Sequence, residues 1–474
     1  MTLTSQQNQV LDHIKLFMES NAQVFILKGY AGTGKTTMVK QIADYIHELR
    51  KVYLMAPTGR AAQILREKTG YEATTIHHAI YEIEAPPTKE IKDFAASDLK
   101  ICFHTRQQTE KSVVIIDEAS MLLSRTSQHE IYKFGTNNLM DDLLTFARPS
   151  FGGKLIFVGD PAQLPPVGES ESQALNPKFF EDKNLKVMTA ELTEVLRQTG
   201  DSVILNNAMA IRDLLQQEKR NRLVFEEKPK DVEHLKTEDI LPQYMEKRRS
   251  GKEEDQVIIC FSNRAATLYN KEIRQQLYRE PAPELKVGDI LMVVQNNYLL
   301  NRMNGEFIKV LRVGHREQIT APVYVQQGAD KIRKEFTLEF IHIDIENEFN
   351  EATDCLLLLD LLNNDQATIS IDEQKALYIS FCIRHQELKQ GTQSFAQTLK
   401  EDPYYNCLRA KYGYAVTGHK CQGGEWNYVF VDYTGRTGLS NDCLRWAYTA
   451  TTRAQKNTLH IEPTAHYAIL TISD

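Results

Sequence analysis

The chain has 474 residues, of which 42% are hydrophobic and 25% charged, with a net charge of −7. That length exceeds a single hydrophobic core and calls for two to four domains. The ordinary apolar fraction excludes a disordered or fibrous chain, and the negative balance excludes a protein that coats nucleic acid through global charge, so any contact with a polyanion must be local.

No run of 18 uncharged apolar residues occurs, and the apolar stretch at 356–362 is broken by Asp360; neither a membrane span nor a membrane partner is expected. Met1-Thr2-Leu3-Thr4-Ser5 lacks the basic and apolar regions of an export signal, and the seven cysteines are scattered without a C-x-x-C pair. A cytoplasmic chain without structural zinc is the expectation.

The apolar run 24–27 predicts a buried strand, and Gly29-Tyr30-Ala31-Gly32-Thr33-Gly34-Lys35-Thr36 after it fits the phosphate-cradling pattern G-x-x-x-x-G-K-[ST]. Gly29, Gly32 and Gly34 let backbone N–H groups turn inward around a β-phosphate, and a helix expected over 35–49 presents its positive end to the anion. Lys35 would bridge the β- and γ-phosphates and Thr36 would hold Mg²⁺, with Thr33 and Thr37 as further nucleotide contacts. An eight-residue pattern can match by chance, but strand, loop and amphipathic helix together make a nucleoside triphosphate the expected ligand.

Strands alternate with helical patterns to about residue 185, which implies a parallel sheet with helices on both faces. The strand 52–55 leads into Pro57 and Thr58. Residues 81–111 interrupt the alternation, with Pro86-Pro87 and the interspersed Phe94, Phe103 and His104. The strand 113–116 ends in Asp117-Glu118-Ala119-Ser120, two carboxylates at a strand tip. The first can order Mg²⁺ and the second can polarise an attacking water, the division of labour that phosphoryl transfer needs; an acidic turn after a core strand is the alternative. The strand 155–158 runs into Gly159-Asp160-Pro161-Ala162-Gln163.

A second lobe is indicated by the strand 257–261, a helix through Asn270 and Arg274, and strands at 428–431 and 458–461. Between them, Gly288-Asp289, Asn296-Asn297-Tyr298 and the turn Asn304-Gly305-Glu306 precede alternating strands at 307–313 and 336–343, which read as an inserted small β-barrel. The charged stretches 218–230 and 246–254 read as solvated linkers. Residues 345–405 match no pattern, and no internal repeat is present.

These segments fall in an order that resembles superfamily 1 helicases, in the RecD/Dda-like branch designated 1B. Leu3-Thr4-Ser5-Gln6-Gln7 is similar to that family's adenine-reading motif and implies a nucleotide contact for Gln7. Ala56-Pro57-Thr58-Gly59-Arg60-Ala61-Ala62 and Thr75-Ile76-His77-His78 resemble its first DNA-contacting motifs. The run from Gly159 through Gln163-Leu164-Pro165-Pro166-Val167 looks like the motif coupling the two sites, with Gln163 as γ-phosphate sensor. Leu196-Arg197-Gln198 resembles the segment with the first arginine finger. Thr417-Gly418-His419-Lys420-Cys421-Gln422-Gly423-Gly424-Glu425-Trp426 and Tyr448-Thr449-Ala450-Thr451-Thr452-Arg453-Ala454 are similar to the last two motifs. They imply Glu425 at the nucleotide, Arg453 as second finger, and a DNA-binding set of Pro57, Thr58, His77, His419 and Lys420. Cys421 and Gly424 stand where the family pattern has serines.

The fold class so implied is α/β, with two RecA-like parallel-sheet P-loop domains, a small pin insert and an SH3-like β-barrel insert. Its expected boundaries are 1–185 for the first domain with a pin at 81–111, 186–303 and 406–474 for the second, and 304–405 for the insert. The resemblance further implies a monomeric ATP- and Mg²⁺-dependent enzyme on single-stranded, duplex and fork DNA, with 5′-to-3′ polarity and a place in DNA repair or recombination. Arginine suits the finger role because its planar fork is always charged, and such fingers contribute about 10³ to 10⁵ in rate. Two other readings stay open: a DNA-stimulated ATPase that remodels protein–DNA complexes or regulates without unwinding, and a P-loop signalling module with no DNA role.

Overall fold

The computed structural model describes residues 3–83, 101–108, 110–126, 132–195, 202–220, 223–229, 231–250, 255–297, 299–327, 330–346, 351–389, 392–434 and 438–461. In the first lobe the strands are β1 (Val24–Gly29), β2 (Lys51–Ala56), β3 (Ala73–Thr75), β4 (Tyr81–Ile83), β5 (Ile101–Thr105), β6 (Ser112–Ile116), β7 (Tyr132–Phe134), β8 (Lys154–Gly159) and β9 (Val187–Leu192). Six of them form a parallel sheet in the order β3-β2-β6-β8-β1-β9. Alternate residues of β1 serve opposite faces, as strand geometry requires. Phe25 and Leu27 pack with Ile14, Phe17, Val39 and Ile42 from the helices Ser5–Glu19 and Lys35–His47, whereas Val24 and Ile26 pack with Met140, Leu143 and Phe146 from Leu139–Ala147. The strand tips carrying Gly29, Asp117 and Gly159 are thereby lined up along one edge, where α/β sheets bind ligands.

The second lobe and its insert take β10 (Val232–Leu235), β11 (Gln256–Cys260), β12 (Ile290–Val293), β13 (Phe307–Gln327), β14 (Asp330–Glu346), β15 (Ala352–Leu358), β16 (Ala410–Tyr412), β17 (Ala415–Thr417), β18 (Trp426–Asp432) and β19 (Ala454–Ile461). A second parallel sheet has the order β10-β19-β18-β11-β17. The insert is the antiparallel sheet β15-β14-β13-β12-β16. Leu358 N–H donates to Leu408 O at 3.1 Å and Leu408 N–H to Leu356 O at 2.7 Å, which ties β15 to the chain just before β16 and turns the sheet back on itself. Two helix-flanked parallel sheets and a small antiparallel insert are the α/β architecture that the sequence implies.

Several boundaries differ from the expected ones. β9 pairs with β1 through Leu192, so the first sheet extends past 185. The insert's sheet draws on 290–293 and 410–412 at its two ends, outside 304–405. Of the expected pin, 84–100 lies outside the described residues; its base is a three-stranded sheet, β4-β5-β7, that recruits Tyr132–Phe134 from farther along the chain. Residues 246–250 close the helix Ile240–Ser250 and are not linker. The unassigned stretch holds β15 and the helices Ile371–Arg384 and Gln393–Glu401, whose Tyr378, Phe381, Phe395 and Leu399 form a small core of their own. Phe103 of the pin base packs against that core.

Candidate active site

The loop after β1 turns through two left-handed glycines, Gly32 and Gly34, each at φ +79°, a conformation that side chains resist. Gly34 immediately precedes the helix Lys35–His47, so Thr36 and Thr37 sit in its first turn. Thr33 is buried, and its hydroxyl donates to Tyr30 O at 2.8 Å. The Lys35 ammonium folds back onto Tyr30 O at 3.0 Å and lies 3.6 Å from Asp160 Oδ2. Asp160, at the end of β8, is fully buried; its Oδ1 accepts from Ala162 N–H at 3.0 Å.

Beside them, Asp117 is buried at the tip of β6, and burial first, then the adjacent Glu118, pushes its carboxyl up from the ordinary range. Glu118 adopts φ +52° and donates its N–H to Asp117 Oδ1 at 2.9 Å. Glu118 Oε2 and Gln163 Oε1 are buried without a hydrogen-bond partner among the described residues. Two orphaned acceptors and a buried carboxylate next to a phosphate loop form a site short of positive charge and of donors, which is what a hydrated divalent cation supplies. The donor set therefore fits Mg²⁺, with Thr36 and Asp117 as the residues that would hold it.

Gln7 is buried against the phosphate loop. It closes a capping box with Thr4, whose N–H donates to Gln7 Oε1 at 3.1 Å, and its Nε2 reaches Thr33 O at 3.5 Å. Gln6 reaches toward the first arginine segment, its Oε1 accepting from Thr193 and Glu194 N–H at 3.0 Å each. Arg197 itself lies outside the described residues. Arg453 is buried in the second lobe, its guanidinium donating to Thr449 O at 3.1 Å, Gly424 O at 3.4 Å and Thr452 Oγ1 at 3.2 Å. Glu425 is engaged by Lys68 of the first lobe at 3.4 Å and by Gln455 at 2.8 Å.

Tyr448, to which the motif pattern assigns no role, spans from the second lobe to the phosphate loop. Its hydroxyl accepts from Ala31 N–H at 2.8 Å and donates to Asp160 Oδ2 at 2.9 Å. At the next residue of the same helix, Asn441–Thr451, Thr449 Oγ1 accepts from Leu164 N–H at 2.9 Å, while Gln422 Nε2 donates to Leu164 O at 2.9 Å. The segment 160–164 is thus held from one side by Lys35 and from the other by two motifs of the second lobe.

On the candidate DNA side, Thr58 and Lys420 meet at Asn304. Thr58, next to Pro57, caps the helix Gly59–Thr69 with Oγ1 accepting from Ala61 N–H at 3.3 Å. Gly59 N–H donates to Asn304 O at 3.0 Å, and Lys420 Nζ donates to Asn304 Oδ1 at 2.9 Å. In the sequence Asn304 shows only as part of the turn Asn304-Gly305-Glu306. Arg60 adds a cross-lobe contact, its guanidinium 5.0 Å from the Trp426 ring centre. His419 is half-buried beside Lys420. His77 packs against Tyr81 and Phe134 at ring distances of 5.5 and 5.6 Å. The missing serine at 424 has a steric reason: a Cβ there would stand 2.3 Å from the Trp426 ring.

Comparisons with known proteins agree with the resemblance drawn from the motifs. An AAA domain model matches residues 2–223, and a UvrD-like helicase C-terminal domain model matches 412–459. The chain is 30% identical over 215 residues to the ATP-dependent RecD2 DNA helicase of Deinococcus radiodurans, covering 44% of this chain and 23% of that one. It is 29% identical over 213 residues to the ATP-dependent DNA helicase dda of Enterobacteria phage T4, covering 44% and 43%. It therefore spans less than half the length of either relative. A crystal structure of Pif1 helicase from Bacteroides in complex with ADP-AlF3 and ssDNA aligns over 100% of this chain and 95% of that one, at 16% identity and a TM-score of 0.48. Among the described residues no helix is long and apolar enough to cross a membrane.

Proposed function

We propose that this protein is a superfamily 1B DNA helicase that hydrolyses ATP to move 5′ to 3′ along single-stranded DNA and to part duplexes at forks. The observation that carries the reading is the relay across the cleft. Ala31 and Lys35 of the phosphate loop connect through Asp160 and Tyr448 to the last motif, and through Leu164 to Thr449 and Gln422, two residues from Lys420.

Lys35 now spends its charge on Tyr30 O and Asp160, and a bound nucleotide would draw it to the phosphates. Glu118 and Gln163 have the unpaired oxygens needed to orient an attacking water. Mg²⁺, when bound, would offset the phosphate charge beside Asp117 and Thr36. Arg453, with Arg197, would stabilise the charge that develops as the γ-phosphate leaves. Because Asp160 and Leu164 are gripped from the second lobe, a shift in 160–164 on loss of that phosphate would pass to Gln422 and on to the DNA-facing loop. Thr58, His419 and Lys420 suit phosphate contacts, which position a strand without reading its sequence.

The test follows ATP hydrolysis with and without single-stranded DNA, together with unwinding of forks bearing a 5′ or a 3′ tail. The wild type should be stimulated by DNA and should open only the 5′-tailed substrate. Lys35→Ala should lose turnover by at least roughly a hundredfold while still binding the strand. Hydrolysis indifferent to DNA would favour a signalling module, and stimulated hydrolysis without strand separation would favour a remodelling ATPase.

A further inference from the structure

The long hairpin of the insert contains a polar cluster that the motor reading does not use. Register between β13 and β14 slips between Val313 and Arg316, a bulge that holds Gly314 and His315. His315 and Glu317 consequently flank His342 of β14. The two imidazoles stack with centres 4.2 Å apart, and His315 Nε2 and His342 Nε2 lie 2.9 and 3.1 Å from the same oxygen, Glu317 Oε1. Gly314 makes this approach possible, since a Cβ there would stand 3.0 Å from His342 Cβ.

Groups behind these three fix their orientation. His342 Nδ1 lies 3.1 Å from Asp354 Oδ2, Asp354 Oδ1 accepts from Arg312 at 2.9 Å, and the Tyr404 hydroxyl donates to Glu317 Oε2. With Nδ1–H committed to Asp354, a neutral His342 turns its Nε2 lone pair toward Glu317 Oε1, so acceptor faces acceptor. A proton on Nε2 or a metal ion between the two groups resolves that conflict. An imidazole whose second nitrogen donates to a carboxylate is the usual arrangement of a metal-ligating histidine.

We propose that His315 Nε2, Glu317 Oε1 and His342 Nε2 form a binding site for a divalent transition-metal ion of the zinc class, which pins the bulge of β13 to β14. One ligand atom from each of these three residues lies within 4.8 Å of the other two. A tetrahedral ion with bonds of about 2.0–2.1 Å needs ligand atoms about 3.3 Å apart, so the two nitrogen–oxygen distances need to open by only a few tenths of an ångström. Two imidazoles and one carboxylate favour zinc, nickel or copper over magnesium or calcium, and the fourth position is left to water.

The full chain, free of nucleotide, is titrated with Zn²⁺ against a chromophoric chelator, and thermal unfolding is followed with and without the ion. One ion per chain should bind and raise the melting temperature. His315→Ala, His342→Ala and Glu317→Gln should each weaken binding by at least about tenfold and abolish the thermal shift. The His315 side chain is 67% exposed, so its variant keeps the fold intact even if that of His342 does not. Binding of undiminished affinity in His315→Ala and Glu317→Gln, or no stoichiometric binding by the wild type, would overturn the site.

Discussion

Burial, with Lys411 adding repulsion, pushes the Lys420 ammonium down to about 8 from the ordinary 10.5. The ammonium donates to the neutral Asn304 side chain at 2.9 Å. A DNA phosphate would bind the ammonium form, so raising the pH through about 8 removes protons from the free protein and weakens the complex. Affinity for single-stranded DNA should fall above about pH 8, by up to about tenfold per pH unit, and Lys420→Arg should flatten the dependence. Fluorescence anisotropy between pH 7 and 9.5 checks this; a flat wild-type profile would remove Lys420 from the contact. The stability sign runs the other way: between about 8 and 10.5 the unfolded chain holds the proton more tightly, so this lysine makes the fold more stable as pH rises. The placement of single residues was legible at Lys35 and Asp117, at the phosphate loop and at a strand tip, because each is fixed by its neighbours along the chain. The contacts of Tyr448, Asp160 and Asn304 escape the sequence because their partners lie 417, 288 and 245 positions away across the cleft, and no spacing rule encodes such contacts.

Elements show the same division. β1 and β6 are buried along their whole length or nearly so and announce themselves as apolar runs. β9, at the sheet edge, mixes exposed and half-buried positions, and its pattern fell below notice. The outer part of the β13–β14 hairpin carries charged residues such as Arg333, Lys334 and Glu335 on exposed positions, so only its inner half was read as strand. The helix Ile371–Arg384 did leave a local sign: Ser370 and Glu373 make a capping box, a spacing visible in the sequence. The first-lobe helix Gly59–Thr69 gives a test of packing. A Cβ on Gly59 would stand 1.9 Å from Met303 Cβ and 2.9 Å from its Cα. Gly59→Ala should push the 303–306 loop away, costing about 1–3 kcal/mol in urea unfolding and weakening DNA binding; wild-type values in both assays would show that the loop yields freely.

At the scale of the whole molecule, the lobes act as a motor only if the phosphate site and the DNA track report to each other. Gln422 is the buried side chain that closes this circuit on Leu164. Gln422→Ala should leave ATP affinity within about threefold yet remove most of the stimulation of hydrolysis by single-stranded DNA, since one unsatisfied carbonyl costs about 1–3 kcal/mol and the coupling bond is gone. Steady-state hydrolysis across a DNA titration decides it, and full stimulation in the variant would place the coupling elsewhere. The two-lobe plan was legible because parallel strands recur with their loops in order. How the pin base meets the helical insert through Phe103 was not, because that contact joins segments almost three hundred residues apart.

Asn304 belongs to neither lobe, yet its carbonyl accepts a hydrogen bond from Gly59 N–H and its side chain accepts one from Lys420. A chimera that borrowed either lobe from a relative would therefore import only a fragment of the grip. The handhold is shared property of three distant stretches of chain, and they would have to be exchanged together or drift together.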